Sequence, residues 1–158
     1  MIPESIATAS GLTPEQMRMV ELAQQGFHCS EVLMFMGLEA QGKENPDLIK
    51  AMSALAGGVG FTGETCGALT GGACVLGLHA GRGSAADEEN PRLKTMIADL
   101  MDWFSTKYGE KYGGILCRII TEDDPLKAPE RCPRIVVSVF YKVKSLLAEN
   151  GFEWTGQR

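Results

Sequence analysis

The chain has 158 residues, of which 44% are hydrophobic, and a formal net charge of −5 at pH 7. That length suits one domain that buries roughly 70% of its unfolded surface, and the negative charge argues against nucleic acid as a partner. The uncharged run from Thr65 to Gly81 falls short of a bilayer span and is diluted by Gly, Thr and His, so no membrane span is expected.

The opening Met1-Ile-Pro-Glu-Ser5 has no basic region followed by an apolar core. No signal peptide is expected, and cytoplasm is the expected compartment. Residues 1–12 read as a loose lead-in to a helical core over 13–150, within a single domain spanning 1–158. Thr13-Pro14-Glu15-Gln16 is a helix start, with Thr13 as cap, Pro14 in the first turn and Gln16 three residues after the cap. Met17 and Val20 give this helix an apolar side, and Gly26 stops it.

A second helix opens at Phe27-His28-Cys29-Ser30-Glu31, buries Val32, Leu33, Met36 and Leu38, and ends at Gly42. Asn45-Pro46 starts a third, with Leu48, Ile49, Met52 and Leu55 at helical spacing until Gly57-Gly58. The segment Gly58-Val-Gly60-Phe-Thr-Gly63 fits G-x-G-x-x-G, but it follows a helix and no βαβ pattern surrounds it. It reads as a loop that lets Cys66 approach its neighbours. Residues 66–80 then form a central helix, although each interior Gly costs about 1 kcal/mol relative to Ala. Such a helix needs neighbours to hold it, so it is expected to be buried.

Asn90-Pro91 caps a long amphipathic helix carrying Leu93, Met96, Leu100 and Phe104 and reaching about Tyr108. Residues 109–131 read as irregular, with a short element at Ile115–Ile120 and an acidic turn at Glu122–Pro125. The last helix is expected to start at Cys132-Pro133. Its β-branched opening also suits a strand, but the stripe Val136, Val139, Phe140, Val143, Leu147 continues to Asn150-Gly151 and favours helix. The architecture is all-α: a bundle-like domain of about six helices around a buried Gly-rich one.

Five cysteines, an odd number, suggest thiols kept reduced rather than used as staples. Cys29, Cys66 and Cys132 fall at expected helix starts, where backbone N–H groups and the helix dipole favour a thiolate. Cys117 falls in the glycine-rich loop. There is no C-x-x-C, so neither a thioredoxin-type motif nor a zinc knuckle is present. Cys66 and Cys74 on one helix would stand about 12 Å apart along its axis, too far for a disulfide, and Cys74 reads as core. Arg118 and Arg131 adjoin cysteines and His28 adjoins Cys29, although solvated side chains are the plainer reading of all three. His79, near a helix end, is expected to meet terminal carbonyls.

The set Cys29, Cys66-Gly67-Ala68-Leu69-Thr70-Gly71, Cys117 and Cys132 resembles a bacterial and archaeal family named for its pattern: C, then GCAxxG (often CGAxxG), then C and C. The resemblance covers about residues 14–150. Members are described as redox-active, some with selenocysteine replacing a cysteine. They are related to split-Soret cytochromes, whose added haem-binding sequence this chain lacks. The resemblance implies Cys29, Cys66, Cys117 and Cys132 as the functional set, with Gly67 and Gly71 shaping the site and its contact with any cofactor.

Three readings follow. In the first, clustered cysteines cycle between dithiol and disulfide, as in a thiol–disulfide oxidoreductase or an electron-transfer protein. Cys66 is then the expected most acidic thiol and Cys29 its partner, while Cys117 and Cys132 form a second pair; four cysteines allow three connectivities. In the second, the same four thiolates hold Zn²⁺ or an iron–sulfur cluster. In the third, a helical interaction module carries passive cysteines. The partners left open are an unidentified redox protein and a second copy of the chain.

Overall fold

Thr13 opens the first helix through the reciprocal cap that its sequence predicts. Its Oγ1 accepts from the Gln16 N–H at 3.1 Å, while the Gln16 side chain accepts from the Thr13 N–H at 2.9 Å. The computed structural model describes residues 11–156, so the lead-in expected over 1–12 lies almost wholly outside the described residues. Helix α1 runs Pro14–Gln24 and α2 runs Cys29–Ala40; between them Gly26 turns the chain at φ +97°. Helix α3 is Pro46–Ser53, capped by Asn45 Oδ1, which accepts from the Leu48 N–H at 3.0 Å. Helix α4 is Gly67–Ala80.

Helix α5, Arg92–Phe104, continues through a π-helical turn at Ser105–Gly109 into α6, Glu110–Tyr112. Helix α7 is Cys117–Thr121 and α8 is Ala128–Glu149. The fold is all-α. Among the described residues the strand-like pairing is confined to one antiparallel bridge, Thr65 to Leu116, and no helix is long and apolar enough to cross a membrane.

The central helix is buried, as its lack of charge predicts. Helix α4 packs against α2, α5 and α8, and Leu69, Val75, Leu76 and Ala80 are almost fully enclosed. Burying each such Val or Leu contributes about 1.5–3 kcal/mol, which outweighs the roughly 1 kcal/mol propensity cost of each interior Gly. The glycines make that packing close. A Cβ on Gly71 would stand 2.9 Å from the Ser30 Cα of α2, and one on Gly72 would stand 2.6 Å from Val139 Cγ1 of α8.

The helix expected to reach about Tyr108 runs on to Tyr112, and two boundaries at cysteines also differ from expectation. Helix α8 begins five residues before Pro133, at Ala128, with Pro129 in its first turn. Proline suits that position because its missing N–H is unneeded there. Cys132 therefore lies inside the helix rather than at its mouth, followed by Pro133, a buried residue inside the helix. Cys117, expected in loop, is the first residue of α7. At the far end of α4, His79 faces carbonyls as expected: its ring nitrogens lie 3.1 Å from Val75 O and 3.2 Å from Trp154 O.

Candidate functional site

The site begins with an unusual loop. After α3, residues Gly57, Gly58, Val59, Gly60 and Phe61 all take positive φ, between 61° and 72°. For Val59 and Phe61 this left-handed backbone brings Cβ against the carbonyl, a cost of roughly 1–2 kcal/mol each. The turn folds the chain back so that Gly63 N–H reaches Gly57 O at 3.1 Å and Glu64 N–H reaches Gly58 O at 2.9 Å. A Cβ on Gly58 would meet Glu64 O at 2.3 Å and Cys117 Cβ at 2.8 Å. Gly58, the first glycine of the G-x-G-x-x-G segment, thus serves close backbone approach.

On its other side the 63–66 segment pairs with the start of α7. Arg118 N–H donates to Gly63 O at 3.1 Å, Cys117 N–H to Glu64 O, and Cys66 N–H to Ile115 O at 3.0 Å. This short ladder ties the entry to α4, where Cys66 is the cap residue, to the entry of α7. Cys29, the first residue of α2, reaches the same place because Gly67 has no side chain: a Cβ there would stand 2.7 Å from Cys29 Sγ.

Cys29, Cys66, Cys117 and Cys132 all line one cavity of about 420 Å³. All four are free thiols. Cys74 is a free thiol too, but it is not part of that wall. Gly67 lines the cavity; Gly71 is one turn deeper and its bare Cα serves the α2–α4 contact instead.

Burial dominates the acidity of these thiols. It pushes the Cys66 thiol up to about 12, with the nearby Cys29 and Cys132 sulfurs acting in the same direction. The Ala68 and Leu69 N–H groups at the mouth of α4 pull the other way and are outweighed. Cys132 also rises to about 12, through burial and then the Cys29 and Cys117 sulfurs. Burial raises Cys29 too, against N–H groups of Gly57 and Ser30, and Cys117, against the Thr121 hydroxyl and with the Asp123 carboxylate. Burial thus opposes the acidity that the helix-start position of Cys66 leads one to expect. Its dipole position is real, but loss of solvation is the larger effect. Cys74 is raised by burial alone, with no other cysteine contributing.

The neighbouring charges are engaged elsewhere. Arg118 pairs with Glu64 at 2.8 Å. Arg131 pairs with Glu122 at 3.1 Å, donates to Ile120 O and lies over the Tyr112 ring. His28 lines the cavity and meets Phe61 edge-on, centroids 5.0 Å apart. Among the described residues no group of three or more His, Cys, Asp or Glu is arranged to hold a metal ion. Sequence reasoning missed Phe61 and Asp123 as site residues. An aromatic side chain inside a Gly-rich loop is a usable signal for the first; nothing local marks the second.

A family model described as "Putative redox-active protein (C_GCAxxG_C_C)" matches residues 27–146. Neither a curated protein nor a solved structure matches the chain. The match spans most of the sequence, and the chain belongs to this redox-active family.

Proposed function

We propose that the chain is a thiol redox protein in which Cys29 and Cys66 cycle between dithiol and disulfide, with Cys117 and Cys132 as a second pair at the same cavity. The observation that carries this reading is the seating of Cys29 Sγ against Gly67, the residue after Cys66. Cys29 is also the sulfur whose charge would be felt by both Cys66 and Cys132, and it feels that of Cys117.

In the oxidation, one thiol loses its proton, its sulfur joins the second sulfur, and the second proton leaves as the S–S bond forms. Two electrons pass to an acceptor. The thiolate is the reactive form, and burial keeps it scarce at neutral pH. The N–H groups of Ala68 and Leu69 at Cys66, and of Gly57 and Ser30 at Cys29, stabilise it once formed. A disulfide is uncharged and suits buried surroundings better than two thiolates.

The test starts from anaerobically purified, reduced protein. Limited diamide should remove two thiols first, and peptide mapping without reductant should recover a Cys29–Cys66 disulfide. Metal content is measured on the same sample. Stoichiometric zinc or iron with all four thiols blocked would overturn the reading in favour of a ligand set.

A further inference from the structure

We propose that the cysteine cavity receives a small uncharged quinone, which the Cys29–Cys66 dithiol reduces to the hydroquinone. This rests on the thiol redox reading above and names its acceptor.

The walls carry the choice. The cavity, about 420 Å³, is lined largely by apolar groups, with Met19, Val32, Ile135 and Val136 beside the thiols. That is the size and character of a site for a small organic molecule. Charge then narrows the class. Arg118 is the one lysine or arginine among the described lining residues, and Glu64 holds its guanidinium at 2.8 Å. Asp123 and Asp124 line the same cavity. A nucleotide or a carboxylate-bearing disulfide would meet acidic groups and no unpaired guanidinium.

Aromatic groups narrow it further. Phe27, His28 and Phe61 line the cavity, and Phe61 is 66% exposed although it is held by the left-handed turn. Strained backbone that presents an apolar ring to solvent is a costly arrangement, of the sort that persists at ligand sites. A planar conjugated ring can stack on such a face.

The stoichiometry agrees with the walls. Each of the two thiols gives up its hydrogen, the S–S bond forms, and two electrons with two protons end on the two quinone oxygens. No net charge appears in the cavity at any complete stage. An acceptor that takes a hydride alone would leave a proton behind in apolar surroundings, where charge is expensive.

The test mixes reduced protein anaerobically with duroquinone, whose four ring methyls block addition of thiols to the ring. Hydroquinone should form at one per two protein thiols lost, with a rate that saturates in quinone. The preference for duroquinone over oxidised glutathione should exceed that of free dithiothreitol by about tenfold or more. Phe61→Ala, at an exposed position, should raise the half-saturating concentration severalfold. A preference no greater than that of dithiothreitol, a rate that never saturates, or a half-saturation unchanged in Phe61→Ala would overturn the inference. If diamide closes the Cys29–Cys66 pair and duroquinone does not, the quinone fails alone. If diamide closes no pair, the redox reading falls and takes the quinone with it.

Discussion

Cys29 Sγ occupies the space that a side chain on Gly67 would fill: a Cβ there would come 2.7 Å from the sulfur and 2.8 Å from Leu55 O. The sulfur at the start of α2 and the entry to α4 are thereby in contact. Gly67→Ala should cost about 1–3 kcal/mol through overpacking, despite alanine's better helix propensity. It should also slow closure of the Cys29–Cys66 pair. Thermal unfolding and diamide titration read both effects; wild-type values in both would mean the contact is not tight.

The glycines of α4 are not equivalent. Gly71→Leu should destabilise by about 1–3 kcal/mol or more, because its Cβ already meets the Ser30 Cα at 2.9 Å. At Gly77 an added Cβ meets nothing within 4 Å, so Gly77→Ala should stabilise by about 0.4–1 kcal/mol. Denaturant midpoints of the two variants should move in opposite directions. Movement in the same direction would count against this packing.

Val59 is a β-branched, solvent-exposed residue at φ +61°. Glycine removes the left-handed penalty of roughly 1–2 kcal/mol but adds about 0.5–1 kcal/mol of unfolded-state entropy. Val59→Gly should therefore raise the melting temperature slightly, with no loss of buried contacts. A clearly lower melting temperature would show that Val59 makes an interaction its exposure hides.

Stability should depend on alkaline pH. Burial raises Cys66 and Cys132 from 9.0 to about 12 in the folded protein. Below pH 9 folded and unfolded chains both keep these protons. Above it the unfolded chain loses protons that the folded chain retains, so stability is lost as pH rises toward 12. The slope is at most about 1.4 kcal/mol per pH unit for each thiol. Urea unfolding of reduced protein near pH 8 and about pH 10 should show a larger loss for wild type than for Cys66→Ala. Equal losses would remove the buried thiol as the cause.

Much of this protein follows from its sequence alone. Thr13-Pro14 and Asn45-Pro46 both start helices as read, because a cap bond and a fixed φ are local. The uncharged, glycine-rich 66–80 run reads as a buried helix, since propensity by itself would not hold an exposed one, and the structure has it so. The family pattern singles out Cys29, Cys66, Cys117 and Cys132, and the chain belongs to that family.

The tertiary structure decided the rest. Helix α8 starts at Ala128 with Pro129 in its first turn, not at Cys132-Pro133, which places Cys132 inside the helix and off its end. The left-handed turn at 57–61 folds back onto residues 63–64, whose segment pairs in turn with residues 115–118 far along the chain, and no local rule announces five consecutive positive φ values. Thiol acidity shows the same contrast between local and tertiary causes. The dipole that favours a Cys66 thiolate is written into one helix, whereas the desolvation that opposes it comes from every element packed around the sulfur.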